Sequence, residues 1–148
     1  MESERTIVIP HILNQQILAD VDRKLPEEAC GLLAGLAGCV VKIFEITNAA
    51  HSPVRFFMAP EELVGALQAI DHNGWELVGI YHSHPNGPAF PSPTDLAEFA
   101  YPGAAYLIWF RESGVWKCLG YDILADEPGS GWKVQYHHFI PVRIQVSE

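Results

Sequence analysis

The sequence predicts a mixed α/β (α+β) domain in which a mixed β-sheet is flanked by helices, and three observations carry this reading. Residues 11–25 repeat apolar side chains at spacings of three to five, as one face of a helix does. Short runs rich in β-branched and aromatic residues alternate with the helical segments. One run, 77–81, is apolar without interruption, as in a strand buried on both faces. A chain of 148 residues holds one real core, so 1–148 is read as a single domain.

The elements follow in order. Ile12, Leu13, Ile17, Leu18, Val21 and Leu25 define the first helix, which Pro26 ends. Residues 27–38 begin polar and become Cys-Gly-Leu-Leu-Ala-Gly, a short helical turn passing into a strand whose glycines imply close backbone approach. A strand is expected over 40–47 and a loop over 48–53. A helix over 60–71 opens on Pro60 with Glu61 and Glu62 in its first turn and ends at His72-Asn73-Gly74. The strand 75–84 then leaves the sheet through a Pro/Gly-rich loop, 85–93, before a short helix over 95–101. Residues 104–110 and 115–121 form a hairpin about the turn 111–114, and 133–146 supplies one or two final strands after an acidic loop at 126–131. Pro141 places part of that last segment at an edge.

Nine Lys and Arg against 18 Asp and Glu give a formal charge of −9, which repels phosphate backbones and anionic membranes. No basic cluster offsets it, so neither nucleic acid nor a membrane is an expected partner. The start of the chain has no signal-like pattern, and residues 29–41, though uncharged, carry Gly31, Gly35 and Gly38 and fall short of a span of roughly 20 apolar residues. Cys30, Cys39 and Cys118 lack any Cys-x-x-Cys spacing and sit among apolar neighbours, so they are read as reduced, buried thiols of a cytoplasmic protein.

Chemistry concentrates at Tyr81-His82-Ser83-His84-Pro85. Residues two apart on a strand face the same way, about 6.6 Å apart along it, so both imidazoles can converge on one ion. With Asp95 beyond the loop, His82 and His84 make three protein ligands and leave a fourth position open, as catalytic zinc requires. Bland readings compete: a hydrogen-bonded His pair, and a capping box formed by Ser92, Pro93 and Asp95. The capping box is compatible with metal binding, because a helix N-terminus also favours an ionised carboxylate. Glu28 enters just before an apolar run, where its carboxylate could reach a buried site.

Taken together, Pro26-Glu27-Glu28-Ala29-Cys30-Gly31-Leu32-Leu33, His82-Ser83-His84-Pro85 and Pro91-Ser92-Pro93-Thr94-Asp95 resemble the JAMM signature of the MPN+ (Mov34/JAB) metallopeptidases. Seven residues separate His84 from Ser92, and two separate Ser92 from Asp95, as in that signature. Thr47-Asn48-Ala49, Ser52-Pro53, Phe57 and Pro60-Glu61-Glu62 are similar to the short stand-alone bacterial members, and the likeness covers roughly 10–121.

The resemblance implies one Zn²⁺ per chain on His82, His84 and Asp95, with Glu28 as general base and Ser92 as hydrogen-bond donor to the oxyanion. It also implies a substrate: the C-terminal tail of a ubiquitin-like or sulfur-carrier protein. The strand-end location of the histidines leads to the expectation that such a tail binds in extended form beside a sheet edge. The alternative is a non-catalytic MPN-type interaction domain with a structural metal. A deaminase would display His-x-Glu and Pro-Cys-x-x-Cys, which are absent. A cysteine hydrolase would use Cys30. His137-His138 lies outside the likeness and reads as a strand-surface feature.

Overall fold

The protein is described by a computed structural model over residues 5–125 and 136–148, with the side chains of Tyr136 and His137 outside the description. The elements are β1 (Thr6–Pro10), α1 (His11–Arg23), β2 (Cys30–Leu36), β3 (Cys39–Ile46), α2 (Pro60–His72), β4 (Glu76–His84), α3 (Pro93–Glu98), β5 (Ala105–Glu112), β6 (Val115–Ala125) and β7 (Tyr136–Ser147). The strands form a mixed sheet that curls into a closed barrel in the order β1-β3-β2-β4-β5-β6-β7. The mixed sheet with helices agrees with the sequence expectation, and the closure goes beyond it.

Two apolar cores pack against the two faces. Ile17 and Val21 of α1 join Leu33, Val78, Tyr81 and Leu107 in one, while Ala66 and Ile70 of α2 join Leu32, Ile80, Tyr106 and Ile108 in the other. A bulge in β4 makes this possible: Leu33 pairs with Gly79 but Ala34 pairs with Leu77, so Val78 is the extra residue. The break in alternation lets Val78 and Tyr81 share a face while Ile80 and His82 share the other.

Close approach explains Gly31 and Gly35. A Cβ on Gly31 would overlap the Tyr81 ring and the Phe44 carbonyl, and one on Gly35 would overlap the Cys39 carbonyl.

The structure corrects the sequence reading in several places. β1 was not anticipated; it pairs in parallel with β7 and, through Val8↔Cys39, with β3. No helical turn precedes β2, because the main chain around Glu28 bonds to the 48–52 loop instead: the Glu28 N–H donates to the Ser52 carbonyl at 2.9 Å. α3 runs from Pro93 to Glu98 and not over 95–101, since Ser92 caps it and Phe99 turns out of the helix (φ −63°, ψ 129°) to pack in the α2 core. The β5–β6 turn is tighter than expected: Glu112 pairs with Val115, and Ser113 and Gly114 both take positive φ, the two-residue hairpin geometry. Cys39 is exposed, unlike the buried Cys30. Pro141 pairs with Tyr121, and the pairing of β7 with β1 begins only at Arg143, so the proline sits where its missing N–H costs no ladder bond on that side. The loop expected at 126–131 and the strand start at 133–135 lie outside the described residues.

Candidate metal centre

Strand β4 ends inside the molecule. His82 is fully buried and His84 nearly so, on a strand flanked by β2 on one side and β5 on the other. His82 stacks on Phe56 (centroids 4.6 Å apart) and lies 4.9 Å from the Tyr106 ring. α3 brings Asp95 from across the loop. Its Oδ2 lies 3.2 Å from His82 Nε2 and 3.1 Å from His84 Nε2, and the two Nε2 atoms are 2.9 Å apart.

The capping box is present as the spacing predicts: Asp95 N–H donates to Ser92 Oγ (3.0 Å) and Ser92 N–H to Asp95 Oδ2 (2.8 Å). The cap and the convergence on the histidines therefore use the same carboxylate.

Whether these donors suit a metal can be judged from their chemistry. Tetrahedral bonds of about 2.0–2.1 Å set ligand atoms about 3.3 Å apart, close to the observed triangle. His84 Nδ1 is 2.7 Å from the Pro88 carbonyl, which only an N–H can approach favourably, so in the neutral ring Nε2 presents a lone pair to the cluster. Two nitrogens and a carboxylate oxygen thus face one point with a shortage of hydrogens between them. The residues fit a cation.

Glu28, 2% exposed, completes the group: one carboxylate oxygen lies within 4.8 Å of a ligand nitrogen on each histidine. Geometry alone therefore allows Glu28 or Asp95 as the third donor. Electrostatics separates them. Burial pushes Glu28 up to about 8, with His84 pulling it down and Asp95 pushing it further up. Burial also works against the charge on Asp95, but the two adjacent imidazoles and the Ser92 N–H outweigh it and hold the carboxyl far below its usual range. Burial lowers His82, whereas on His84 the Asp95 carboxylate and Pro88 carbonyl overcome burial and raise the pKa. Asp95 is the carboxylate whose charge the surroundings favour and which touches both histidines, whereas burial favours the protonated form of Glu28. Its Oε1 has no hydrogen-bond partner among the described residues.

All five residues singled out in the sequence meet here, with Ser92 on the rim. Cys30 is close by, paired across the ladder with His82, but burial drives its thiol up to about 12, the reverse of an activated nucleophile. His138 lies on β7, paired with Leu124 and exposed. At the histidines β4 pairs with β5 as far as His84 but with β2 only as far as His82. Beside Asp95 lies a cavity of about 480 Å³, lined largely by Phe56, Met58, Leu63, Phe99 and Tyr106 and crossed at its rim by the Arg55–Glu98 ion pair (3.2 Å).

Sequence reasoning missed two supports. Ser83, between the histidines, accepts the Ala29 N–H through Oγ (2.7 Å) and donates its own N–H to the Ala29 carbonyl (3.0 Å), tying Glu28's neighbour to β4. The aromatic wall of Phe56 and Tyr106 was also unforeseen, since no local pattern links residues so far apart.

A mixed barrel with a His/His/carboxylate cluster at a buried strand end defines a small α+β domain built around a candidate metal centre. The chain belongs to the prokaryotic homologs of the JAB domain, the family matched over residues 10–120. It is similar to a desampylase of Haloferax volcanii, 43% identical over 86 residues, covering 56% of this chain and 62% of that protein. It is also similar to a CysO-cysteine peptidase of Mycobacterium tuberculosis, 34% identical over 104 residues, covering 69% of this chain and 71% of the relative. The chain thus spans less than two thirds of the haloarchaeal relative's length. A solution structure of a Desulfitobacterium hafniense protein superposes with a TM-score of 0.78 at 30% identity, over 96% of this chain and 93% of that one. Among the described residues no helix is long and apolar enough to cross a membrane.

Proposed function

We propose that residues 1–148 form one peptidase domain that uses zinc to hydrolyse an amide bond, peptide or isopeptide, at the C-terminus of a ubiquitin-like or sulfur-carrier protein. The names of the two relatives, a desampylase and a CysO-cysteine peptidase, are in keeping with that substrate class. The observation that carries the proposal is the pair of buried carboxylates with opposite tendencies on either side of two convergent imidazoles.

In this reading His82, His84 and Asp95 hold one zinc, which when bound would acidify a water and polarise the scissile carbonyl. Glu28 takes up the proton of the attacking water. It then delivers that proton to the leaving amine, a transfer suited to a buried carboxyl whose proton affinity is raised by desolvation. Ser92 accepts the Asp95 N–H with Oγ and so keeps its hydroxyl hydrogen as a donor for the oxygen of the attacked carbonyl. Phe56 and Tyr106 keep bulk water off His82. A purely structural metal would have no use for a buried Glu28 with an unpartnered Oε1, whose desolvation opposes folding.

The test is metal content by mass spectrometry on wild type and His84→Ala, prepared without added metal, followed by incubation with β-grasp sulfur-carrier proteins extended by one C-terminal amino acid. About one zinc in wild type and none in the variant, with release of the added residue by wild type alone, is the expected result. Zinc without release from any carrier would move the reading to an interaction domain, and no zinc in either would remove the centre.

A further inference from the structure

We propose that Asn48 is a positioning residue that fixes the Glu28 main chain and the Phe56 segment in one relation to the two histidines. The proposal rests on the reading of Glu28 as general base.

Asn48 is 2% exposed and lies just after β3, where it bridges to Met58 as an isolated pair. Its amide uses its full bonding capacity. Nδ2 donates to the Glu28 carbonyl and to the Arg55 carbonyl, each at 3.0 Å, and Oδ1 accepts the N–H groups of Ala50 and Phe57, each at 3.0 Å. One side chain thereby joins the residue proposed as the base to both limbs of the 49–57 loop. That loop supplies Phe56, which stacks on His82, and Ser52, whose carbonyl receives the Glu28 N–H.

Such a clamp is needed here because Glu28 lacks the usual anchor. Its Oε1 has no hydrogen-bond partner among the described residues, so its carboxylate must be aimed from its main chain. Ser52 and Asn48 hold the N–H and C=O of Glu28, and Ser83 holds both main-chain groups of Ala29. A base must lie within hydrogen-bond reach of the proton it moves, and small displacements are expensive. Asn48 contacts none of His82, His84 or Asp95 through any of these bonds, so metal binding and base placement should separate when it is changed.

Asn48→Asp keeps the two acceptor bonds, loses the donated bonds and turns an oxygen toward the Glu28 and Arg55 carbonyls, whereas Asn48→Ala loses donated and accepted bonds alike. Both are compared with wild type and Glu28→Gln as zinc-loaded proteins, by zinc stoichiometry, amide hydrogen exchange, and kcat and KM on the carrier substrate that wild type cleaves fastest. Asn48→Asp should retain zinc and the exchange protection of Ala50 and Phe57, with kcat reduced roughly 10–100-fold and KM changed much less. Asn48→Ala should in addition lose protection at those two amides. Wild-type kcat in Asn48→Asp beside an inactive Glu28→Gln overturns the positioning role alone. Loss of zinc in step with kcat in Asn48→Asp also overturns it, in favour of a general structural role. Full activity in Glu28→Gln overturns the base assignment on which the proposal rests.

Discussion

Tyr81 and His82 are neighbours on β4 that point to opposite faces, and the buried carboxylates they meet are treated in opposite ways. On the α1 face Asp20, wholly buried, accepts the Tyr81 hydroxyl at 2.7 Å and the Arg23 guanidinium at 2.9 Å, and pairs with Lys24 at 3.1 Å. Lys24 in turn donates to the Ile46 carbonyl. Burial and then Asp20 raise the Tyr81 pKa well above its usual value, so the phenol stays a donor. On the other face Glu28 is buried with an unpartnered oxygen, and His82 Nδ1 likewise has no partner among the described residues. A saturated carboxylate ties a helix to a strand. An unsaturated one keeps a raised proton affinity, and this difference separates a structural cluster from a candidate functional one on the same strand.

The comparison can be broken most forcefully at His84. His84→Ala should abolish both zinc binding and cleavage while leaving the Asp20 cluster and the fold intact, as judged by metal content and circular dichroism. Glu28→Gln should keep zinc and slow turnover by about 10²–10⁴-fold, the usual worth of a general base, measured as kcat on the carrier substrate.

Stability sharpens the contrast through pH. Glu28 holds its proton up to about 8 in the folded, metal-stripped protein but only to about 4.5 in the unfolded chain. Between those values the unfolded state alone ionises, so this group makes the folded state progressively less stable as pH rises, and the cost is complete above about 8. Urea unfolding of metal-stripped wild type and Glu28→Gln at pH 5 and 8 should therefore show the variant gaining about 2–4 kcal/mol relative to wild type at the higher pH. A pH-independent difference would mean that Glu28 is not desolvated.

Asp20→Ala should do the reverse. It should cost about 3 kcal/mol in urea unfolding, because the buried Tyr81 hydroxyl loses its acceptor and Lys24 its ion pair, and it should leave zinc stoichiometry unchanged. The smallest effect is expected at Ser92→Ala: zinc retained, turnover slowed roughly 10²-fold by loss of one donor, and stability lowered by about 1 kcal/mol by loss of the helix cap.

The sequence by itself picked out the residues that meet at the candidate centre. His82 and His84 stand two apart at the end of an apolar run, and period-2 alternation puts them on one face whatever surrounds the strand; Ser92, Pro93 and Asp95 cap a helix by purely local bonding. The helices α1 and α2 were legible for the same reason, since their signals lie within one or two turns. β1 was missed although Thr6-Ile7-Val8-Ile9 is β-branched, because a five-residue strand takes its stability from β7, more than a hundred residues away. Only the tertiary structure decided the bulge at Val78, the closed barrel, the Phe56 and Tyr106 walls and the Asn48 clamp. Each joins residues distant in sequence, where period and propensity carry no information and the requirement to satisfy buried polar groups selects the partner.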